Sequence, residues 1–233
     1  VFLFCIGLFS LSSWAEGLDE FSLPAIQQQR LLFTIQGSNT IGAHLGPSLV
    51  SAYLAAKGAS DITVIAADND NEVWVQGSYQ HIQVRVRIDA HGSGTGFKGL
   101  ATARADIAAA SRPIKDKEAA LLQHIADMRS AKSEHIVGID GLAIIVHPNN
   151  PINDLSVAQL ADVFSGKITD WSELNGPAGR IHIYARDNQS GTWDSFRSMV
   201  LGKQQLVASA QRFESNDALS DSVSVDPLGI GFV

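Results

Sequence analysis

The sequence has only one cysteine, Cys5, and it lies in the apolar stretch that opens the chain. A single cysteine provides neither an internal disulfide framework nor a cysteine-ligated zinc site. Basic residues are also few: 17 lysines and arginines stand against 24 acidic residues, and no basic run is present. The net charge of −7 therefore argues against binding of nucleic acid or another polyanion. A small anion is still compatible with this charge, because a few oriented donors can hold one inside an acidic protein.

The opening apolar stretch, residues 1–11, is too short to span a membrane, since a spanning helix needs about 20 residues. Small residues follow at Ser13 and Ala15, which predicts a secretory signal peptide over residues 1–15. A lipoprotein anchor at Cys5 is the alternative, and the bulky Phe4 before it disfavours that interpretation. We therefore expect export to the periplasm, with residues 16–30 as an N-terminal linker.

Motifs for metal sites are missing as well. The seven histidines are scattered, and they form neither H-E-x-x-H nor another close pair. Residues 68–72 resemble part of a calcium loop, but Val73 replaces the required glycine and Tyr79 replaces the bidentate glutamate. A solvated hairpin turn is the better interpretation, and we expect neither a metal nor any other cofactor.

From residue 31 onward, short apolar strands alternate with amphipathic helical stretches, which predicts an α/β protein with mainly parallel sheets flanked by helices. A long apolar segment, residues 136–146, is broken by Asp140 and Gly141 and marks a candidate crossing point between two lobes. We expect lobe 1 at residues 31–143 and lobe 2 at residues 144–233. Because the sequence stops on a predicted strand, lobe 1 is expected to be incomplete and to lack its C-terminal return.

Three segments share one description: a strand ends, a small residue with a hydroxyl group follows, and a helix begins. They are residues 37–41 (Gly-Ser-Asn-Thr-Ile), residues 92–96 (Gly-Ser-Gly-Thr-Gly) and residues 190–192 (Ser-Gly-Thr). Each offers backbone N–H groups at the positive end of a helix, together with hydroxyl donors. Taken singly, each is an ordinary helix cap. Because open α/β sheets bind ligands at the carboxyl ends of their strands, the three together favour convergence on one anion.

Arg186 stands four residues before the third segment, at the predicted end of a strand. A guanidinium at this place can form a bidentate pair with a tetrahedral oxyanion. A surface ion pair with Asp187 is the alternative, and the residues alone do not decide between the two.

Two enzyme interpretations fit the motifs less well. Residues 94–99 match the dinucleotide pattern G-x-G-x-x-G, but the helix that follows is short and the next strand has no convincing acidic residue at its end. A serine hydrolase using Ser93 would need G-x-S-x-G, and His91 occupies the position of the first glycine. We therefore expect a binding protein and not an enzyme.

Taken together, the motifs resemble the periplasmic phosphate-binding proteins of phosphate ABC importers. The resemblance runs in order from about residue 31 to 233 and is carried by residues 37–42, 92–99, 105–114, 140–148, 164–171, 186–192 and 228–233. It extends to the branch that is fused to an OmpA-like peptidoglycan-binding domain. The resemblance implies a two-lobe fold of the type II periplasmic-binding-protein superfamily, with inorganic phosphate held in the cleft between the lobes. It also implies a membrane ABC permease as partner and, for the fused branch, peptidoglycan.

Carried over residue by residue, the resemblance implies ligand-binding residues in both lobes. These are Ser38, Asn39, Thr40, Ile41, Ser93, Gly94, Thr95, Ser111 and Arg112 in lobe 1, and Arg186, Ser190, Gly191 and Thr192 in lobe 2. Many phosphate binders have an aspartate at the position of Ser111, which accepts a proton of the phosphate. Serine at this position weakens the discrimination against other tetrahedral oxyanions, so a binder of another oxyanion is one alternative. An envelope-anchored or sensor protein with a phosphate-binding-like domain is the other. Arg112 either adds positive charge to the site or pairs with Asp116.

Overall fold

The structure is a computed structural model that describes residues 2–6 and 29–233. The chain divides into two compact units, unit 1 from Val1 to Ile139 and unit 2 from Asp140 to Val233. Each unit has one β-sheet with helices packed against it. The division falls at Ile139, within the segment in which the sequence pattern predicts a crossing point and slightly before the expected end of lobe 1 at residue 143.

Unit 1 has a seven-stranded sheet and three α-helices in its described residues. The strands are β1 (Phe2–Ile6), β2 (Gln29–Gly37), β3 (Ser60–Ala66), β4 (Glu72–Tyr79), β5 (Ile82–Asp89), β6 (Ile107–Ala110) and β7 (Glu134–Gly138). The helices are α1 (Gly46–Ala56), α2 (Ser93–Ala101) and α3 (Asp116–Leu122), and the π-helical segment Ile41–Leu45 leads into α1. The strand order is β3-β4-β5-β2-β6-β1-β7. β2 therefore lies between β5 and β6, and it is parallel to both.

Unit 2 has a four-stranded sheet and three α-helices. The strands are β8 (Ile144–Val146), β9 (His182–Arg186), β10 (Gln211–Phe213) and β11 (Gly229–Phe232). The helices are α4 (Val157–Phe164), α5 (Gly191–Phe196) and α6 (Asn216–Val225), with a 3-10 helix at Trp171–Leu174 and a π-helical segment at Arg197–Leu201. The strand order is β10-β9-β11-β8, and β9 is parallel to both of its neighbours.

Both sheets are mixed, whereas the sequence pattern predicts mainly parallel sheets. Parallel pairing is found around β2 and β9, while β3, β4 and β5 form antiparallel hairpins because their connections are too short for a crossover. The turn between β4 and β5 is formed by Gln80 and His81, which both have positive φ (47° and 68°). Gly77 lies inside β4, where an added Cβ would stand 3.0 Å from the carbonyl oxygen of Ser60 on β3.

Helices pack on both faces of the unit 1 sheet because side chains of a strand alternate between faces. Ala108 and Ala110 of β6 pack in the cluster of α2 and α3, whereas Ala109 packs in the cluster of α1. In unit 2 the core is rich in aromatic rings, and the rings of Phe196 and Phe232 stack with centroids 4.0 Å apart. Packed helices thus support the ends of β2, β5 and β6 in unit 1 and, separately, the end of β9 in unit 2.

The predicted signal peptide falls mostly outside the described residues. The part that is described, residues 2–6, forms β1, whose backbone pairs with β6 and β7 in antiparallel orientation. The signal peptide and the linker over residues 16–30 therefore stay predictions. Among the described residues, no helix combines the length and the apolar character that a membrane crossing requires.

Candidate functional site

The first candidate segment lies where β2 ends and a helix begins. Gly37 has φ 140°, and an added Cβ would stand 2.0 Å from the carbonyl oxygen of Ala109, so only glycine allows this approach of β2 to β6. The Ser38 amide donates to the same carbonyl at 2.8 Å, and the Ser38 carbonyl accepts the first helical hydrogen bond. A helix start directs its first amides outward, which makes residues 39–41 the backbone donors of this segment.

The side chain of Asn39 holds this helix start in place. Its Nδ2 donates to Oδ1 of Asn71 at 3.2 Å and to the carbonyl oxygen of Ala90 at 3.4 Å. Asn71 precedes β4 and Ala90 follows β5, so these bonds connect the helix start with two neighbouring loops. The Asn39 side chain, which is 2% exposed, therefore shapes the segment from within unit 1.

The second candidate segment follows β5 and begins α2. Gly92 has φ 106°, and its amide donates to the carbonyl oxygen of Gly37 at 2.6 Å, which places the two helix starts side by side. The hydroxyl of Thr95 donates back to the Gly92 carbonyl at 2.8 Å and secures the first turn. Ser93 is completely buried, and Gly94 follows it in that turn.

Ser111 follows β6 and meets Ser93. The Ser111 amide donates to Oγ of Ser93 at 3.1 Å, and the two hydroxyl oxygens are 3.3 Å apart. Because β5, β2 and β6 are adjacent and parallel, the residues after all three strands lie at one edge of the sheet. The structure thus brings the candidate residues Ser38, Ser93 and Ser111 of unit 1 to one place.

Arg112 makes a buried ion pair, and its partner is not the one that the sequence suggests. Its guanidinium donates to both carboxylate oxygens of Glu118, at 2.8 and 2.7 Å, and lies over the ring of Phe97 at 5.4 Å. Asp116, the expected partner, instead accepts Arg129 at 2.5 Å on the surface. Because Arg112 is 5% exposed, its charge is neutralised inside unit 1.

The glycine pattern of residues 94–99 serves the packing of α2 against β2. An added Cβ at Gly96 would stand 2.5 Å from the backbone oxygen of Gln36, and one at Gly99 would stand 2.3 Å from Oε1 of the same residue. Glycines at these positions let the helix approach the strand closely. The close packing explains the pattern without a dinucleotide.

In unit 2, the third candidate segment starts α5. The Asp187 carboxylate accepts the amides of Gln189 and Ser190, both at 2.9 Å, and folds the loop after β9. Oγ of Ser190 then accepts the amide of Trp193 at 3.2 Å, which makes Ser190 the cap of the helix. Residues 190–192 are buried, and they form the predicted helix start with Gly191 and Thr192 in its first turn.

Arg186, at the end of β9, is buried among neutral acceptors. Its Nε donates to the carbonyl oxygen of Phe213 at 3.2 Å, and its two terminal nitrogens donate to the Glu214 carbonyl and to Oδ1 of Asn216. The side chain is only 1% exposed. No carboxylate of the described residues forms an ion pair with it, so its positive charge is not directly neutralised.

Burial changes the acidity of this guanidinium. Desolvation lowers the pKa of Arg186 to about 10, and the charges of Asp187 and Glu214 offset part of that effect through space. The alternative of a surface ion pair with Asp187 is wrong, because Arg186 is buried and the Asp187 carboxylate accepts backbone amides. The charged form still dominates at neutral pH.

Two side chains next to Arg186 were not expected there. Asn216 stands in the first turn of α6 and accepts from Arg186, while Ser215 caps that helix, since its Oγ accepts the amide of Ala218 at 3.2 Å. The guanidinium of Arg212 lies 4.2 Å from the centroid of the Trp193 ring and donates to the Arg186 carbonyl. Arg212 belongs to β10, which has three residues and is too short to be recognised from an apolar pattern.

Comparison with known proteins identifies relatives over most of this chain. The chain is 30% identical over 200 residues to the phosphate-binding protein PstS of Staphylococcus epidermidis, which covers 84% of this chain and 58% of the relative. It is 29% identical over 222 residues to the protein SphX of Synechococcus elongatus, over 90% of this chain and 62% of the relative. The chain thus spans somewhat less than two thirds of these curated relatives.

Solved structures agree with the fold. One, named as a phosphate ABC transporter substrate-binding protein with bound phosphate from Clostridium perfringens, matches with a TM-score of 0.66 and 25% identity, over 88% of this chain and 70% of that one. Another, an ABC-type phosphate transport receptor from Vibrio cholerae, matches with a TM-score of 0.55 and 23% identity, over 86% and 70% of the two chains. The predicted α/β fold of the two-lobe binding proteins is therefore confirmed. The model of the PBP superfamily domain matches residues 48–233, and the chain accordingly belongs to the PBP superfamily.

Proposed function

We propose that the chain is an extracytoplasmic solute-binding protein that captures inorganic phosphate for an ABC importer. The observation that carries the proposal is Arg186, a buried guanidinium that, among the described residues, is held by neutral acceptors only, and the capped helix start at Ser190 follows it four residues later. A buried charge without a counter-ion is costly, and an oxyanion supplies the missing partner. The names of the relatives point to phosphate as that anion.

Unit 1 has donors of a second type. The amides of residues 39–41 and the hydroxyls of Ser93 and Ser111 are neutral, and they stand at one edge of the sheet. Amides only donate, whereas a hydroxyl both donates and accepts, so this set can satisfy an oxyanion that carries a proton. It also fits a fully ionised oxyanion, and another tetrahedral oxyanion is therefore the second candidate, favoured by the Ser93 and Ser111 contact.

The contacts of the candidate serines support binding without catalysis. A nucleophilic serine needs an adjacent base, most often histidine. The Ser93 hydroxyl instead contacts the amide and hydroxyl of Ser111, and the Ser190 hydroxyl accepts a backbone amide. Reversible capture of the anion requires no more than these donors.

Isothermal titration of the chain with phosphate, arsenate, sulfate and molybdate tests the proposal. We expect saturable heat with phosphate and arsenate, which share charge and protonation. Heat with sulfate or molybdate alone would favour the second candidate. No heat with any of the four anions would contradict oxyanion capture altogether.

The cellular setting belongs to the proposal as well. The predicted signal peptide over residues 1–15 supports export to the periplasm, where a membrane permease would receive the phosphate. The envelope-anchored or sensor alternative, with peptidoglycan as a partner, stays a prediction. A phosphate-dependent pull-down of a permease would favour transport over the anchoring role.

A further inference from the structure

Asn216 is the first residue of α6, yet its side chain is not used to cap that helix. Ser215 takes the capping role, with its Oγ accepting the amide of Ala218 at 3.2 Å. The Asn216 side chain carbonyl accepts a terminal N–H of Arg186 instead. A residue distant by 30 positions in sequence therefore takes part in holding the buried guanidinium.

The three acceptors around Arg186 differ in whether a substitution can alter them. Those of Phe213 and Glu214 are backbone carbonyls, which any residue provides. The third acceptor is the side chain of Asn216, and it alone of the three can be exchanged for a charged group. Residue 216 thus decides whether the acceptor shell of Arg186 is neutral or anionic.

An aspartate at this position would be expected from stability alone. It has the shape of asparagine, and its carboxylate would form a charge-assisted bond with Arg186. It would also stand at the positive end of α6, where a negative charge is favourable. The chain nevertheless has the amide here and places its acidic residue one position later, at Asp217.

We propose that Asn216 is a positioning residue that orients Arg186 through a neutral oxygen, so that the positive charge stays available to the bound oxyanion. This inference rests on the proposed function, since it assumes that Arg186 receives the anion. A carboxylate at residue 216 would act as an internal competitor for the same guanidinium. The amide gives the orientation without the competition.

The experiment compares Asn216→Asp, Asn216→Ala and the unchanged chain. We expect Asn216→Asp to weaken binding of inorganic phosphate by at least about tenfold, because the guanidinium is already neutralised. Asn216→Ala keeps the charge and loses one contact, so its loss of affinity should be smaller. The midpoint of thermal unfolding without phosphate should follow another order, with Asn216→Asp at or above the unchanged chain and Asn216→Ala below it. Asn149→Asp adds the same charge at an exposed position of unit 2 and serves as the control.

A purely structural role predicts that affinity and stability change in the same order, and that order would overturn the proposal. Phosphate affinity of Asn216→Asp within about twofold of the control would overturn it too. If the unchanged chain binds no phosphate, the proposed function fails and the role of Asn216 in anion binding fails with it, and the unfolding midpoints then test only whether the Asn216 oxygen holds Arg186. Equal midpoints for the two Asn216 variants would show that its oxygen does not hold Arg186.

Discussion

Replacement of Arg186 by methionine removes the buried charge while it keeps an unbranched, adaptable side chain in its place. Arg186 is 1% exposed, so its charge would act on an anion bound beside it with little screening by water or salt. Loss of one partner from a desolvated charge pair costs roughly 2 to 5 kcal/mol. This cost corresponds to a roughly 30-fold to several thousand-fold loss of phosphate affinity, and we expect Arg186→Met to fall in that range.

The same substitution also affects stability, and the two effects must be separated. The carbonyls of Phe213 and Glu214 and the side chain of Asn216 lose their donor, so the free energy of unfolding should fall by about 1 to 3 kcal/mol. Urea unfolding followed by circular dichroism measures this change. The affinity is then compared only where the variant is folded. Arg186→Lys keeps a charge but loses the planar fork, and it should give an intermediate loss of affinity.

Isothermal titration with phosphate at physiological salt is the assay, and Arg197→Met is the matched control. Arg197 is exposed in the same unit, so removal of its charge should change affinity by less than about twofold. A folded Arg186→Met variant that binds phosphate as tightly as the Arg197→Met variant would refute the reasoning. Arg186 would then be a structural cross-link between β9 and the start of α6, and not an anion ligand.

Three further changes test other parts of the structure. Ser111→Asp places a carboxylate beside Ser93 and should lower sulfate affinity at least about tenfold more than phosphate affinity, and an unchanged ratio in titration would argue against a ligand-facing Ser111. Glu118→Gln leaves Arg112 without its counter-charge, so urea unfolding should show a loss of roughly 3 to 5 kcal/mol, whereas a loss below about 1 kcal/mol would contradict a buried pair. Burial, together with the carboxylate of Asp226, raises the pKa of Tyr184 to about 12 from its usual 10.0. The neutral hydroxyl thus stabilises the fold below about pH 10. Unfolding experiments should show that this contribution to the free energy of unfolding is lost as the pH rises from about 10 to about 12. The Tyr184→Phe variant should lack this loss.

Local signals in the sequence predicted the helix starts well. Ser190, in a helix start that the sequence predicts, caps α5 with its Oγ accepting the Trp193 amide at 3.2 Å, and Ser156 caps α4 in the same way. Such caps depend on three or four consecutive residues, so the sequence contains the whole cause. The same holds for Gly37, whose place between a strand and a helix is visible in the sequence.

Contacts between distant residues were harder to predict. Glu118 and Asp116 lie at similar distances along the chain from Arg112. Glu118 is the ion-pair partner of Arg112 because a second bond, in which it accepts the Lys115 amide at 2.9 Å, fixes its carboxylate at the start of α3. Asn216 reaches Arg186 only because β10 pairs with β9 in the register that sets Phe213 opposite Arg186. The register has no signature in the spacing of the residues, and Lys115 is not among the residue types that mark a helix cap in a sequence.

The placement of charges, and not their sum, makes anion binding by this acidic chain physically reasonable. In unit 1, Arg87 contacts the carboxylates of Glu72 and Asp89, and Arg112 contacts that of Glu118, so these buried or half-buried cations are neutralised where they stand. Arg186 is as deeply buried as any of them, but its three acceptors are neutral. The field of distant charges in an excess of seven negative charges is screened by salt within about 8 to 10 Å. The field at a buried guanidinium therefore depends on its immediate neighbours, which is why one amide in place of a carboxylate can decide whether the cation is available to a ligand.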